Sequence, residues 1–458
     1  MLYSASLPYR SDPAAYFSAI SDLKWAVWLD SGGRGRYDIF TAQPAVTLIT
    51  EGTQTLIGDT TGERAVSGNA FDLLREVLSS QLEPVAGIKF AGGALGYWSY
   101  DLARQQQALP EEAEDGEHLP QMAIGIYDWA LQLDHQSKTA QLVSYQRYPQ
   151  TARQLPQILQ RLQDGIAAVA AEPFRVHGEI ASNFSRARYA QAFKSVQDYL
   201  FAGDCYQINL AQRFSARASG DGFAAYCKLR ELSPAPYAAF LKLPWVQILC
   251  ASPERFLQVQ QGRVETRPIK GTRPSVADAA ENALLVQDLR NNPKDRAENL
   301  MIVDLLRNDL GKACAAGSVK VPRLFEVESY ATVHHLVSTV TGELAPGQDA
   351  LSLLRDCFPG GSITGAPKHR AMEIIEQLEP QRRGVYCGAI GYIGFDGNID
   401  CNIAIRTLVY AAGEIRCWAG GGIVADSQME AEYQETLDKA EAMLAMLQHF
   451  GGTLSKEN

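Results

Sequence analysis

Paired cysteines, long apolar runs and an excess of basic charge are all missing from this 458-residue sequence, and each absence removes a class of function. Eight cysteines, at 205, 227, 250, 314, 357, 387, 401 and 417, stand singly with no C-x-x-C among them. That scatter fits reduced thiols in a core better than a disulfide frame or a zinc site. No run of about 18 apolar residues occurs, and residues 1 to 20 hold no basic segment leading into an apolar one, so neither a membrane span nor a signal peptide is expected. A cytoplasmic location is the expectation. Lys plus Arg number 42 against 52 Asp plus Glu, a net charge of −10 that gives no general attraction to nucleic acid or anionic membrane. Internal repeats and low-complexity tracts are absent too.

With 46% hydrophobic and 21% charged residues, the chain can bury the core of one very large domain or two ordinary ones. Strand patterns dominate the start: residues 23–30, then 37–41, 46–50, 91–100, 123–133 and 139–144, with a glycine-rich loop at Ser31 to Gly35. Residues 109–116 carry four acidic side chains and read as an exposed loop. Residues 151–171 place Leu155, Ile158, Leu159, Leu162, Ile166 and Val169 at helical spacing, which predicts a helix at a boundary between a β-rich region, 1–170, and a second region, 185–450. The second region opens with a helix from Ser185 to about Phe201 and an alternating strand over 203–210, after which helices and strands interleave.

Several stretches of the second region carry chemistry. In Thr266-Arg-Pro-Ile-Lys-Gly-Thr272, Pro268 stiffens the entry and Gly271 permits a tight exit, so Lys270 is presented at the end of a short strand. An amine becomes a nucleophile only where burial or a nearby cation lowers its pKa, and a lone lysine in a polar turn is more often simply solvated. The run 294–309 predicts a helix with Glu298 four residues after Lys294. In 430–439, Glu432 and Glu435 share a helical face and Lys439 lies four residues beyond Glu435. Each reads alone as a surface ion pair; together, carboxylates from distant helices are how Mg²⁺ is held. Gly420-Gly-Gly422 allows backbone amides to approach an anion, although glycine runs are more often plain turns. Phe358-Pro-Gly-Gly-Ser-Ile-Thr-Gly-Ala-Pro-Lys368 lacks the Walker A lysine after its last glycine and reads better as a loop feeding a helix that starts near Ala366, its free N–H groups available to an anion.

The combination of Gly203-Asp-Cys-Tyr-Gln207, Ser252-Pro-Glu-Arg-Phe256, Pro268 to Thr272, Asp295-Arg-Ala-Glu298 with Asp304 to Asp309, His334-His-Leu-Val-Ser338, Pro359 to Lys368, Ile405-Arg-Thr407 and Gly420 to Lys439 resembles the chorismate-utilising enzymes. The motifs fall in the family's order over nearly the whole chain. The resemblance implies an α+β fold like that of anthranilate synthase component I: two packed β-sheets in a sandwich-like core, helices outside, both regions in one compact unit.

Two positions select the branch. Isochorismate and salicylate synthases are expected to carry a lysine base where this chain has Gln207, which cannot abstract a proton. Anthranilate synthases resemble the chain closely but carry alanine where Lys270 stands. The resemblance is therefore to the aminodeoxychorismate-forming branch, which serves 4-aminobenzoate and folate biosynthesis. It implies Lys270 as nucleophile and Glu254 as proton donor, with Mg²⁺ on Glu298, Glu435 and Glu432. The ring carboxylate would meet Gly421, Gly422 and Lys439, and the enolpyruvyl carboxylate Arg406 and Tyr392. Gln207, Thr272, Thr364 and His335, beside His334, complete the substrate set. No cysteine has the G-x-C-x-G context of a glutaminase, so ammonia is expected from a partner glutamine amidotransferase subunit. Ser31, Arg36, Tyr37, Pro236, Tyr237 and Ala238 match a family pocket for tryptophan, while an aromatic and proline packing patch is the plainer reading of the same residues.

Overall fold

The computed structural model describes residues 2–79, 82–165, 172–329 and 333–455. Among them the strands form two sheets, of 13 and 12 strands, with most neighbours antiparallel. Each sheet draws on both ends of the chain. In the first, Ala26–Asp30 lies between Tyr37–Thr41 and Tyr237–Lys242. In the second, Gly93–Trp98 lies between Met122–Tyr127 and Ala389–Gly394.

Period-2 alternation explains how the sheets are covered. Val27, Ile39, Leu241, Ile248 and Val409 turn from the first sheet into one apolar cluster with Leu48, Leu95, Ile124 and Ile390 of the second. Their strand neighbours Trp28, Phe40, Phe240, Leu249 and Leu408 turn the other way, into a second cluster closed by residues of Pro149–Asp164, Phe223–Leu232 and Met429–His449. The fold is α+β, two packed sheets with helices outside. Among the described residues no helix is long and apolar enough to cross a membrane.

Three elements differ from the sequence reading. The single strand expected over 123–133 is two: Met122–Tyr127 belongs to the second sheet and Ala130–Asp134 to the first. The crossing at Asp128 is pinned by the Tyr148 N–H, which donates to the Asp128 carboxylate at 2.8 Å. The boundary helix runs Pro149–Asp164 and ends on the left-handed Gly165, while Ile166 and Val169 lie outside the described residues. The helix expected near Ala366 begins at Lys368, because Gly365 and Ala366 pair as a short strand with Ile208 and Gln207.

Candidate active site

Lys270 sits on the strand Ile269–Pro274, opposite Leu336 of Val333–Glu343. The register shifts before Thr272, which faces His335, and the extra residue is Gly271 at φ 78°. A bulge of this kind re-aims its neighbours, and the left-handed φ favours glycine. A Cβ there would also come within 2.8 Å of Leu289 and 2.9 Å of Asp295. Lys270 is half-buried, and no hydrogen bond or ion pair holds its amine among the described residues. Burial lowers its pKa and the Lys439 ammonium adds to this, while Glu298, Glu254 and Glu435 pull the other way.

Glu254 occupies the turn between Gln247–Ser252 and Arg255–Gln260. The Ser252 hydroxyl, donating to Ile403 O at 2.6 Å, fastens that turn. Burial raises the Glu254 carboxyl to about 7, against the opposing pull of Ser362, Lys270 and Lys439. Ser362 donates to Glu254 Oε1 at 2.8 Å.

Three carboxylates form a second focus. Glu298 comes from the helix Pro293–Gly311, and Glu432 and Glu435 from Met429–His449. A Cβ on Gly421 would lie 3.1 Å from Glu432 Oε2 and 3.3 Å from Glu435 Oε1, so the glycine strand passes directly over both. Lys294 Nζ stands 3.7 Å from Glu432 and 3.9 Å from Glu298. Lys439 Nζ is 2.6 Å from Glu435 and donates to Gly420 O at 3.0 Å. Burial raises Glu298 and Glu432; at Glu435 burial is outweighed by Lys439, and its pKa falls. Among the described residues no three acidic, histidine or cysteine side chains already converge as a metal-binding group. The donor set nevertheless fits Mg²⁺: hard oxygens from two helices, with a lysine supplying positive charge between two of them.

The remaining wall is polar. Gln207 is fully buried, and among the described residues neither its Oε1 nor its Nε2 has a hydrogen-bond partner. A Cβ on Gly422 would run into that amide. Thr272 Oγ1 lies 3.0 Å from His335 Nδ1. Burial pushes the His335 imidazole down to about 4, with Arg406 and His334 helping, so it is neutral at ordinary pH. His334 is instead held between Ser329 Oγ at 2.8 Å and Asn282 Oδ1 at 2.9 Å. That separates the two histidines. Arg406, at φ 51°, is half-buried, has no carboxylate partner among the described residues, and is lowered by burial. The Thr364 hydroxyl is turned toward the carbonyls of Gly360 and Gly361, at 3.2 and 3.3 Å. Lys368 ties Asp309 at 2.7 Å to Cys357 O at 2.8 Å, a structural duty rather than an anion site.

Tyr392 requires a correction. It lines a second cavity, of about 380 Å³, together with Ser31, Arg36, Tyr37, Pro236, Tyr237 and Ala238. Its ring packs on Phe90 at 5.0 Å, so its place is with that set and not with Arg406. Within this cavity Arg36 is engaged with Asp134 at 2.7 Å, and Tyr37 is flanked by Arg36 and Lys89. Lys89, Arg255, Asp400 and Asn402 also line it and were not anticipated. Arg255 could have been: it follows Glu254 at the start of a strand, where alternation turns adjacent side chains apart. Ser362 of the first site carried no such local signal, whereas the i, i+4 spacing had already paired Lys294 with Glu298.

Residues 25–445 match the family model for chorismate binding enzymes. Aminodeoxychorismate synthase component 1 of Klebsiella aerogenes is 48% identical over 451 residues, 97% of this chain and 98% of that protein. The protein of the same name from Escherichia coli K12 is 48% identical with the same coverage. Among solved structures, anthranilate synthase component I from Streptococcus pneumoniae TIGR4 aligns with a TM-score of 0.78 at 33% identity, over 89% of this chain and 92% of that one.

Proposed function

The chain belongs to the chorismate-binding enzyme family, and on that premise we propose that it aminates chorismate at C4, giving 4-amino-4-deoxychorismate, the precursor of 4-aminobenzoate. The observation that carries this reading is the Lys270 amine, half-buried and unpaired, coupled electrostatically to a Glu254 carboxyl whose pKa is about 7. Lys270 attacks C2 of the ring through its lone pair as both conjugated ring double bonds shift, C1=C2 to C1=C6 and C5=C6 to C4=C5, and the C4–O bond breaks. Glu254 gives its proton to the departing hydroxyl, which leaves as water. Ammonia then bonds to C4, both double bonds return to C5=C6 and C1=C2, and the C2–N bond breaks to free Lys270. Glu254, now ionised, takes up the proton that the incoming ammonia sheds. One difficult displacement becomes two easier ones.

Gly421 and Gly422 amides with Lys439 receive the ring carboxylate, and the Arg406 guanidinium receives the enolpyruvyl carboxylate beside a neutral His335. Gln207 presents an amide that hydrogen-bonds substrate and cannot activate water as a base. Mg²⁺ held by Glu298 and Glu435, with Glu432 through water, would supply positive charge to the ring carboxylate. Ammonia comes from a partner glutamine amidotransferase, since no cysteine of this chain stands in a glutaminase elbow. The second cavity holds tryptophan; stoichiometric release of tryptophan on denaturation is the expected result, and its absence would remove that assignment.

The test is a product assay with chorismate, Mg²⁺ and ammonium. Aminodeoxychorismate without pyruvate, strongly reduced in Lys270→Ala, supports the reading. Anthranilate with pyruvate from the unaltered protein would overturn it.

A further inference from the structure

The most deeply buried ion pair of the second region lies behind the active site, in neither cavity. Arg383 and Glu379 are 1% and 4% exposed at the side chain, with Arg383 Nη2 2.6 Å and Nε 2.9 Å from the two carboxylate oxygens. Removing two charges from water is costly unless the remaining donors and acceptors are met, and replacing such a pair with apolar residues often stabilises a protein. Stability alone therefore does not explain its presence.

The other hydrogen bonds of the pair go to the loop 360–364 and to the strand that carries Gln207. Arg383 Nη1 donates to Ile363 O at 2.8 Å, and Nη2 donates to Asn209 O at 2.7 Å. Glu379 Oε1 accepts from the Ala211 N–H at 2.9 Å. The Asn209 N–H in turn donates to Thr364 O at 2.8 Å. The loop 360–364 is thereby clamped to the strand Gln207–Ser219 from both of its last two carbonyls. The residue before Ile363 is Ser362, whose hydroxyl holds Glu254 Oε1 at 2.8 Å. The residue two before Asn209 is Gln207, whose unpaired amide faces Gly422. The guanidinium is also fixed in plane by the rings of Tyr100 and Tyr386, at 5.0 and 5.8 Å.

We propose that Arg383, locked by Glu379, is a positioning residue for the proposed reaction: by holding the Ile363 and Asn209 carbonyls it sets the Ser362 hydroxyl against Glu254 and the Gln207 amide against the substrate. Lysine cannot replace it, because one ammonium cannot reach two divergent carbonyls and a carboxylate with a planar fork. The groups that face Glu254 are Ser362, Lys270, Lys439 and Cys387; Ser362 hangs on this clamp through Ile363, and Cys387 faces the Arg383–Glu379 pair electrostatically. A hydroxyl donating to a carboxylate favours the ionised form. Loosening it raises the pKa of Glu254, so the alkaline limb of the rate profile moves to higher pH.

The inference rests on the proposed amination, and the two fail differently. Absence of amination by the wild type sinks the function; wild-type activity with an indifferent Arg383 sinks only the clamp. Arg383→Lys, Arg383→Met and Ser362→Ala are compared with the wild type for kcat, for KM and for the alkaline limb, each corrected for folded fraction by circular dichroism. The expected result is a tenfold or greater loss of kcat in Arg383→Lys and the same direction of limb displacement in Arg383→Lys and Ser362→Ala. Adding Arg383→Lys to Ser362→Ala should move the limb no further. A merely structural pair would lower the melting temperature and leave the limb where it is; that outcome, or additive displacements in the double variant, overturns the proposal. If Arg383→Met does not fold, Arg383→Lys and Ser362→Ala still decide the matter.

Discussion

At the scale of single residues, the chemistry depends on how burial divides proton affinities. Glu254 is raised to about 7 by loss of water, so it is largely a neutral acid below pH 7 and an anion above it. The fraction able to donate a proton therefore falls as pH rises through about 7, and kcat/KM for chorismate should show a descending alkaline limb there. A pH–rate profile flat from 6 to about 8.5 would contradict the assignment. Replacing Glu254 by Gln keeps its shape and removes the proton; the expected loss of kcat is about 10²–10⁴-fold. His335, pushed down to about 4, stays neutral throughout this range and should contribute no limb of its own. Lys270, Glu254, Glu298, Glu432 and Glu435 could be singled out in sequence because the motifs of the family resemblance contain them. Arg383 and Ser362 could not be read so easily, since their duty is to touch backbone or a carboxylate distant in sequence. Tyr392 was misassigned for a related reason: a motif gives the strand, but which cavity a strand residue faces depends on what packs on each side.

Elements decide how closely these groups approach. The strand Glu414–Ile423 brings Gly421 over Glu432 and Glu435 and Gly422 against Gln207, places where a side chain has no room. Gly422→Ala should push the Gln207 amide into the substrate space. Overpacking of this order costs about 1–3 kcal/mol, which corresponds to a rise in KM for chorismate of roughly five- to 150-fold if the cost falls on binding. An unchanged KM in steady-state assays would show that the Gln207 amide does not face substrate. The same strand illustrates the limits of local pattern. Three glycines in a row suggested close approach but not what approaches, and the split of 123–133 into strands of different sheets was hidden because the two halves follow without a turn signal and every residue of both strands is buried.

The whole molecule is held by two sheets that interleave distant parts of the chain, so the site cannot form until both are in place. Leu95 is fully buried between the sheets, and Leu95→Ala should cost about 2–5 kcal/mol, read as a lower urea midpoint at unchanged slope. Amination per folded molecule should survive, since its strand partners are Gly125 and Tyr392, and Tyr392 lines the second cavity rather than the site of Lys270. Stripping divalent cations with a chelator should abolish turnover and added Mg²⁺ restore it; full activity in chelator would remove Glu298, Glu432 and Glu435 from any metal role.

The central claim is that Lys270 bonds to the substrate, and intact mass spectrometry tests it most directly. Protein mixed with chorismate and Mg²⁺ in the absence of ammonium should gain the mass of one chorismate less one water, on the peptide that contains Lys270. The adduct should disappear when ammonium is added and never form in Lys270→Ala. Amination at the full wild-type rate by Lys270→Ala would contradict the account outright.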